Sequence, residues 1–216
     1  MTKPLTIAVI SDVVCPWCYV GKRRLEAALK ELGQEAEIHW LPYELNPDMP
    51  DDGMERAAYR AKKFGEAKSA QFDAQLTALG REEGIPFAFD RQARTPNTRA
   101  AHQLIAFAGS QGKADAVVEA LFKAYFEEGR DVGSDEVLGD VAEEAGLDRD
   151  TALAAARDEG LSNFVADLEK QAMGLGVQGV PFFIVDQSWA LSGAQPAEQW
   201  IAAIRQRSGG DAGPAA

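Results

Sequence analysis

The chain has 216 residues, of which 46% are hydrophobic and 26% charged, the composition of a soluble globular protein. Its 34 Asp and Glu residues outnumber its 22 Lys and Arg residues, and the net charge of -12 argues against nucleic acid and anionic membranes as partners. No stretch approaches the roughly 18–20 apolar residues of a membrane span, and the N-terminal apolar run is too short for a signal peptide. We therefore expect a cytoplasmic protein.

The start of the chain is predicted to form a β-α-β unit. Leu5–Ile10 is an apolar run with three β-branched strand formers, and residues 16–32 have the leucine spacing of an amphipathic helix that ends at Gly33. Residues 37–45 are predicted to form a second strand, in which Pro42 favours an edge position. Because a helix connects the two strands, we expect them to be parallel.

The middle of the chain is rich in Ala, Glu, Lys, Arg and Leu, which predicts helices. Glycines and Pro86 separate the apolar periodic segments from one another. Gly160 is a potential break in the last and longest of these segments. The predicted helices cover residues 54–65, 67–84, 97–111, 113–128, 134–145 and 149–174.

The end of the chain returns to β-structure. Residues 182–185 and 189–191 are predicted to form a hairpin around a tight turn at 186–188, and residues 196–207 an amphipathic helix. The order β-α-β, helical block, β-β-α predicts an α/β fold in which both ends share one sheet. The predicted domains are a discontinuous one at 1–48 and 175–208, an inserted all-helical one at 49–174, and a flexible tail at 209–216.

Two cysteines three residues apart carry the most specific chemical signal. Cys15 and Cys18 lie at a strand-to-helix turn, the context in which such a pair indicates a redox motif. Pro16 suits the first helical position, which places Cys15 at the N-cap. Backbone amides and the helix dipole there favour the thiolate form of its sulfur. We therefore predict Cys15 as the nucleophile and Cys18, one turn further on, as a more buried resolving thiol.

Two other interpretations of the cysteines are less favoured. They could be small buried hydrophobes or a fixed local disulfide. They could also bind zinc together with His39 and His102, but this spacing fits no zinc-finger pattern. No metal site is predicted.

Three polar or aromatic residues near the motif are weaker candidates. Trp17, between the cysteines, is expected to be half exposed beside the sulfurs, with a core position as the alternative. Asp12 is more simply a turn-capping carboxylate than a proton relay to Cys18. His102 could face the active-site cleft, but a lone histidine is more often structural than catalytic.

Four segments resemble one protein family in order along the chain. The family is the DsbA superfamily of thiol-disulfide oxidoreductases, and within it the FrnE-like branch. The resemblance implies a thioredoxin fold interrupted by a helical domain, and thiol-disulfide exchange as the activity. The segments are SDVVCPWCYVGKRRLE at 11–26, NTRAAHQL at 97–104, LFKAYFEEGRDVGSDEVL at 121–138 and GVQGVPFFIVDQSWALSGAQP at 176–196.

The resemblance also implies a substrate site. Val180 and Pro181 correspond to a cis-proline loop that faces the cysteines, where Val180 can pair with an extended substrate backbone. Pro16 and Trp17 complete the expected substrate surface. The partners are then protein or small-molecule thiols and disulfides, and no cofactor is required because the dithiol itself carries two electrons. Trp17 replaces the histidine found between the cysteines of secreted DsbA, so we expect a weaker oxidant.

A second related group leaves an alternative function open. The 2-hydroxychromene-2-carboxylate isomerases and kappa-class glutathione transferases share the inserted helices, an Asp at position 12 and a helix opening at Asn97. These features make Asp12 and Asn97 candidate accessory residues, and His102 is a third candidate because it follows Asn97 in the same predicted helix and can face the active-site cleft. In that group a serine at the nucleophile position activates glutathione. In this sequence Cys15 occupies that position, which favours redox chemistry. Glutathione remains a possible co-substrate, and the sequence leaves monomer and homodimer open.

Overall fold

The computed structural model describes residues 3–208 of the protein. Within that range the elements alternate as β-α-β, a long helical segment, and β-β-α. In chain order they are β1 (Leu5–Ser11), α1 (Pro16–Leu32), β2 (Ala36–Pro42), β3 (Met54–Glu55), α2 (Arg56–Phe64), α3 (Glu66–Glu82), β4 (Arg94–Thr95), α4 (Arg99–Gly109), α5 (Ala114–Phe126), α6 (Asp135–Glu144), α7 (Arg149–Ala156), α8 (Glu159–Gly174), β5 (Phe182–Val185), β6 (Trp189–Ser192) and α9 (Ala197–Ser208).

The main sheet joins the two ends of the chain. Its strand order is β2-β1-β5-β6, with β1 parallel to β2 and β5 antiparallel to both β1 and β6. Alternate residues of β1 face opposite sides: Ile7 and Val9 pack with α1 and α9, whereas Ile10 packs with the end of α8. This arrangement confirms the thioredoxin fold with a helical insertion.

The first turns of α1 connect the sheet to the helical segment. Tyr19 is fully buried and stacks on Phe122 of α5 at 4.9 Å between ring centroids. Its hydroxyl donates a hydrogen bond to Glu127 at 2.7 Å and accepts one from Arg23 at 2.9 Å. Further along, Leu25 belongs to the core under the sheet. The cysteine turn is therefore held where the two parts of the fold meet.

The second strand is shorter than predicted, for a reason that lies far away in sequence. β2 ends at Pro42, on the outer strand of the sheet, and not at residue 45. The backbone N–H of Glu44 donates to the Glu169 carboxylate at 2.8 Å, and that of Leu45 donates to Asp12 at 2.8 Å. Buried carboxylates thus take the donors that a continuing strand would have used.

The helical segment departs from the predicted pattern in two places. Met54 and Glu55 pair with β4 in a short antiparallel sheet, so the first predicted helix begins later, at Arg56, with Glu55 as its N-cap. The last predicted helix divides before Gly160, because Asp158 caps the start of α8 by accepting from Leu161 N at 2.7 Å. The insertion is therefore helical apart from β3 and β4.

The remaining boundaries agree closely with the sequence. α1 has the predicted bounds, and the hairpin turns through Asp186 and Gln187, which both have positive φ. The domain limits at 48/49 and 174/175 stay predictions, and the predicted tail at 209–216 lies outside the described residues. Over residues 3–208, we find no helix whose length and hydropathy would suit a bilayer span.

Candidate active site

The cysteine motif forms the start of α1. Cys15 is the N-cap residue, with extended backbone angles of φ -92° and ψ 109°, and Pro16 is the first helical residue. Cys15 N donates to Asp12 O at 3.0 Å and Cys18 N to Cys15 O at 3.0 Å, which closes the turn. Both thiols are free and buried, with 4% of Cys15 and 1% of Cys18 exposed. No side chain accepts a hydrogen bond from the first amides of the helix.

The loop before β5 lies against the cysteine motif. The Val180–Pro181 peptide bond is cis, as the resemblance implies. Cys15 Sγ donates to Val180 O at 3.7 Å, and Gly193 N fixes the loop by donating to Pro181 O at 2.8 Å. A Cβ at Gly21 would meet the Pro181 ring at 3.0 Å, so the glycine leaves room for this close approach of helix and loop.

Burial weakens the acidity of the second thiol. Burial is the largest influence and raises the pKa of Cys18 well above its usual value, and the adjacent Cys15 thiol adds to the effect. A hydrogen bond with Ser11 and one with the backbone of Asp12 act in the opposite direction without cancelling the rise. Cys18 is therefore held as the neutral thiol near neutral pH.

Asp12 organises the turn from a fully buried position. Its carboxylate accepts from Leu45 N at 2.8 Å and from Val14 N at 3.4 Å. These are the contacts of a turn-capping residue, as its position in the sequence indicates. His102 Nε2 lies 3.4 Å from Asp12 Oδ1 without hydrogen-bond geometry, and His102 faces a separate cavity along β2.

Asn97 does not join the cysteines. Its side-chain nitrogen donates to Met49 O at 2.7 Å and its oxygen accepts from Arg99 N at 2.9 Å, so one end holds the segment before β3 and the other caps the start of α4. It borders a different surface depression, together with Asp51 and Gly133. The structure thus brings Pro16, Trp17, Val180 and Pro181 to Cys15, and it places Asn97 and His102 elsewhere.

A cavity of about 710 Å³ opens beside Cys15. One wall is the cysteine motif, where Trp17 is 47% exposed, and another is a face of α2. Sequence reasoning missed the α2 wall, although its basic and aromatic residues recur at helical spacing. The lining residues are Val14, Cys15, Pro16, Trp17, Leu45, Asn46, Arg56, Tyr59, Arg60, Lys63, Phe64, Phe72, Gln75, Leu76, Phe89, Gln92, Thr95, Tyr125, Phe126 and Val180.

Metal ligation finds no support in the part of the chain from Lys3 to Ser208. No group of three or more His, Cys, Asp or Glu side chains is placed there to hold an ion. His39 lies on β2 and contacts Glu37 at 3.3 Å, whereas the cysteines lie at the start of α1.

Comparison with known proteins places the chain in a family. The model of the DsbA-like thioredoxin domain matches residues 6–205. A probable DsbA oxidoreductase from Streptomyces coelicolor has 31% sequence identity and a TM-score of 0.85, over 98% of this chain and 93% of its own. This match and the family model together cover nearly the whole protein.

Two more distant structures share the fold. A 2-hydroxychromene-2-carboxylate isomerase matches at 19% identity and a TM-score of 0.76, over 97% of this chain and 100% of its own. The cytosolic disulfide reductase DsbM from Pseudomonas aeruginosa, crystallised with glutathione, matches at 22% identity and a TM-score of 0.64, over 94% of this chain and 98% of its own. The protein described here belongs to the DsbA-like thioredoxin-domain family and is an enzyme of the thiol-disulfide oxidoreductase class.

Proposed function

We propose that the protein is a dithiol-disulfide oxidoreductase or isomerase in which Cys15 is the nucleophile and Cys18 the resolving thiol. One observation carries the proposal: two unbridged cysteines share the first turn of α1, and the outer sulfur lies 3.7 Å from the carbonyl of Val180. Cys15 lines the cavity and Cys18 does not, so an incoming disulfide meets Cys15 first.

The electrons balance within the dithiol. The Cys15 thiolate attacks one sulfur of a substrate disulfide, forms a mixed disulfide and releases the other sulfur as a thiolate. Cys18 then gives up its proton to solvent or to the departing thiolate and attacks the Cys15 sulfur. A second substrate thiolate leaves, and two electrons have passed from the dithiol to the substrate. The reverse sequence oxidises a substrate dithiol.

The different environments of the two thiols support this division of labour. Cys15 lies at the N-cap of α1 and lines the cavity, whereas burial raises the pKa of Cys18 and keeps it protonated until the mixed disulfide forms. Pro16 and Trp17 form the surface beside the sulfur. The Val180–Pro181 loop offers backbone groups to an extended substrate, as in strand addition.

We further propose the cytoplasm as the site of action and reduced glutathione as a co-substrate that regenerates the dithiol. The fold shared with the cytosolic, glutathione-bound reductase from Pseudomonas aeruginosa supports this proposal. The dithiol carries the electrons, so the reaction as written requires no metal or organic cofactor.

Selective alkylation tests the assignment of the nucleophile. One equivalent of iodoacetamide at pH 7 is expected to modify Cys15 at least about tenfold faster than Cys18, because only thiolates react appreciably. Peptide mapping by mass spectrometry gives the two rates, with fully unfolded protein as the control for intrinsic reactivity. Equal rates in the folded protein, or faster modification of Cys18, would overturn the assignment.

A further inference from the structure

The face that α2 turns toward Cys15 has an unusual composition. Arg56, Tyr59, Arg60, Lys63 and Phe64 follow one another at spacings of three, one, three and one, which places them on one side of the helix. All five line the cavity that contains Cys15, and α2 buries none of its residues. An amphipathic helix normally packs such a stripe against a core, whereas this stripe lines a cavity.

The positive charge on this face is only partly neutralised. Arg56 donates to both oxygens of Asp73, at 3.0 and 2.9 Å, and Arg60 contacts the same carboxylate at 2.8 Å. Lys63 bonds to neutral oxygens instead, those of Asn46 at 2.8 Å and Tyr59 at 2.6 Å. Arg56 and Arg60 thus share one carboxylate, whereas the hydrogen bonds of Lys63 go to uncharged groups.

The surroundings of the cavity do not supply the missing negative charge. Among the described residues, no Asp or Glu lines it. Burial, followed by the charge of Arg56, lowers the pKa of Arg60, as expected where cations crowd together without enough counter-charge. In a chain with a net charge of -12, this local excess is a specific feature of the site.

The rest of the lining is apolar, and much of it is exposed. Trp17 is 47% exposed, Phe72 40%, Phe64 36% and Leu45 36%, and all four lie on the rim of this one cavity. Deeper in the cavity the lining includes Phe126, which is 1% exposed. Large exposed apolar side chains gathered around a concave site are typical of a ligand-binding surface.

We propose that this cavity binds a low-molecular-weight thiol or disulfide that carries a carboxylate or similar anion on an aromatic body. The anion pairs with Lys63 and Arg60, the aromatic body lies against Trp17 and Phe64, and the sulfur reaches Cys15. Glutathione fits less well, because it carries an ammonium group and has no aromatic portion. The inference rests on the proposed function, since Cys15 must react with the bound sulfur as described above.

Rates with two aryl disulfides test the charge preference. Reduced enzyme is mixed in a single turnover with dianionic 5,5′-dithiobis(2-nitrobenzoate) or with uncharged 4,4′-dithiodipyridine, and each rate is divided by that of N-acetylcysteine with the same reagent. Lys63→Gln is expected to lower the normalised rate for the dianion about three- to tenfold and to change the neutral rate less than about twofold. Lys62→Gln, the neighbouring exposed residue outside the cavity, is the matched control and should leave both rates unchanged.

The outcomes separate this inference from the proposed function. If the wild-type enzyme forms the Cys15–Cys18 disulfide with both reagents but Lys63→Gln and Lys62→Gln behave alike, the proposed function stands and the anion site is refuted. If neither reagent yields that disulfide, the proposed function itself fails.

Equilibrium binding gives a readout that does not depend on the cysteines. Calorimetry should show that 2-naphthoate binds to the Cys15→Ser protein and binds with lower affinity to the Cys15→Ser/Lys63→Gln protein. The uncharged 2-naphthamide should give little heat with the Cys15→Ser protein. Equal affinity for the acid and the amide would contradict the proposal.

Discussion

The Cys18→Ser variant is expected to stop at the mixed disulfide. With glutathione disulfide, one glutathione should remain attached to Cys15 and one should be released, which intact mass spectrometry detects as a stable adduct. Multiple-turnover reduction should fall by about 100-fold or more, because an intramolecular attack by a thiol already in place is replaced by a slow attack from solution.

The Cys15→Ser variant is the matched control. It should form no adduct, since the remaining Cys18 is 1% exposed and burial raises the pKa of its thiol. The transferase or isomerase alternative predicts a different pattern. There, Cys18→Ser would retain full glutathione-dependent activity, and that result would refute the resolving role of Cys18.

Acidification from pH 7.5 to pH 5 is expected to stabilise the fold through one buried carboxylate. Glu44 and Glu169 both contact Arg99, at 2.9 and 3.2 Å, and Glu169 also accepts from Glu44 N at 2.8 Å. Burial, followed by the charge of Glu169, raises the pKa of Glu44 to about 6. Because an unfolded glutamate titrates near 4.3, the folded state binds the extra proton between these two values.

The raised pKa of Glu44 fixes the direction of this pH dependence. A carboxyl group with a raised pKa in the folded state destabilises the fold when it is ionised, so stability rises as the pH falls through about 6 and levels off near 4.3. Between pH 7.5 and pH 5, Glu44 should contribute about 1 kcal/mol to this rise. Urea unfolding at pH 5 and 7.5 should show that Glu44→Gln loses this contribution, whereas a Gln substitution at the exposed Glu31 keeps it. Identical pH profiles for the two variants would contradict the assignment to Glu44.

Local signals account for what the sequence predicted well. The proline at the first position of α1, its leucine spacing and the Gly33 end, where φ is +59° in the structure, fix the bounds of the helix within one short segment. Local signals also predicted that Cys15 lies at the N-cap and that Trp17 is half exposed. The Val180–Pro181 loop could be matched to the cysteines only through family resemblance, because 165 residues separate Val180 from Cys15.

Long-range contacts account for what the sequence could not predict. The early end of β2 depends on Glu169, which is 125 residues from Glu44. The pairing of β3 with β4 depends on two-residue strands that carry no periodic signal. The stripe on α2 has visible helical spacing, but spacing alone does not reveal whether a face meets a core, solvent or a cavity.

A redox titration tests the central claim most directly. Purified protein is equilibrated in glutathione buffers of graded potential, and intact mass and tryptophan fluorescence are read at each point. We predict that Cys15 and Cys18 convert to an internal disulfide, with the loss of two hydrogen atoms and a single two-electron midpoint. A titration with no internal disulfide, and with only a stable Cys15–glutathione adduct or non-covalent glutathione, would contradict dithiol exchange as the function of this protein.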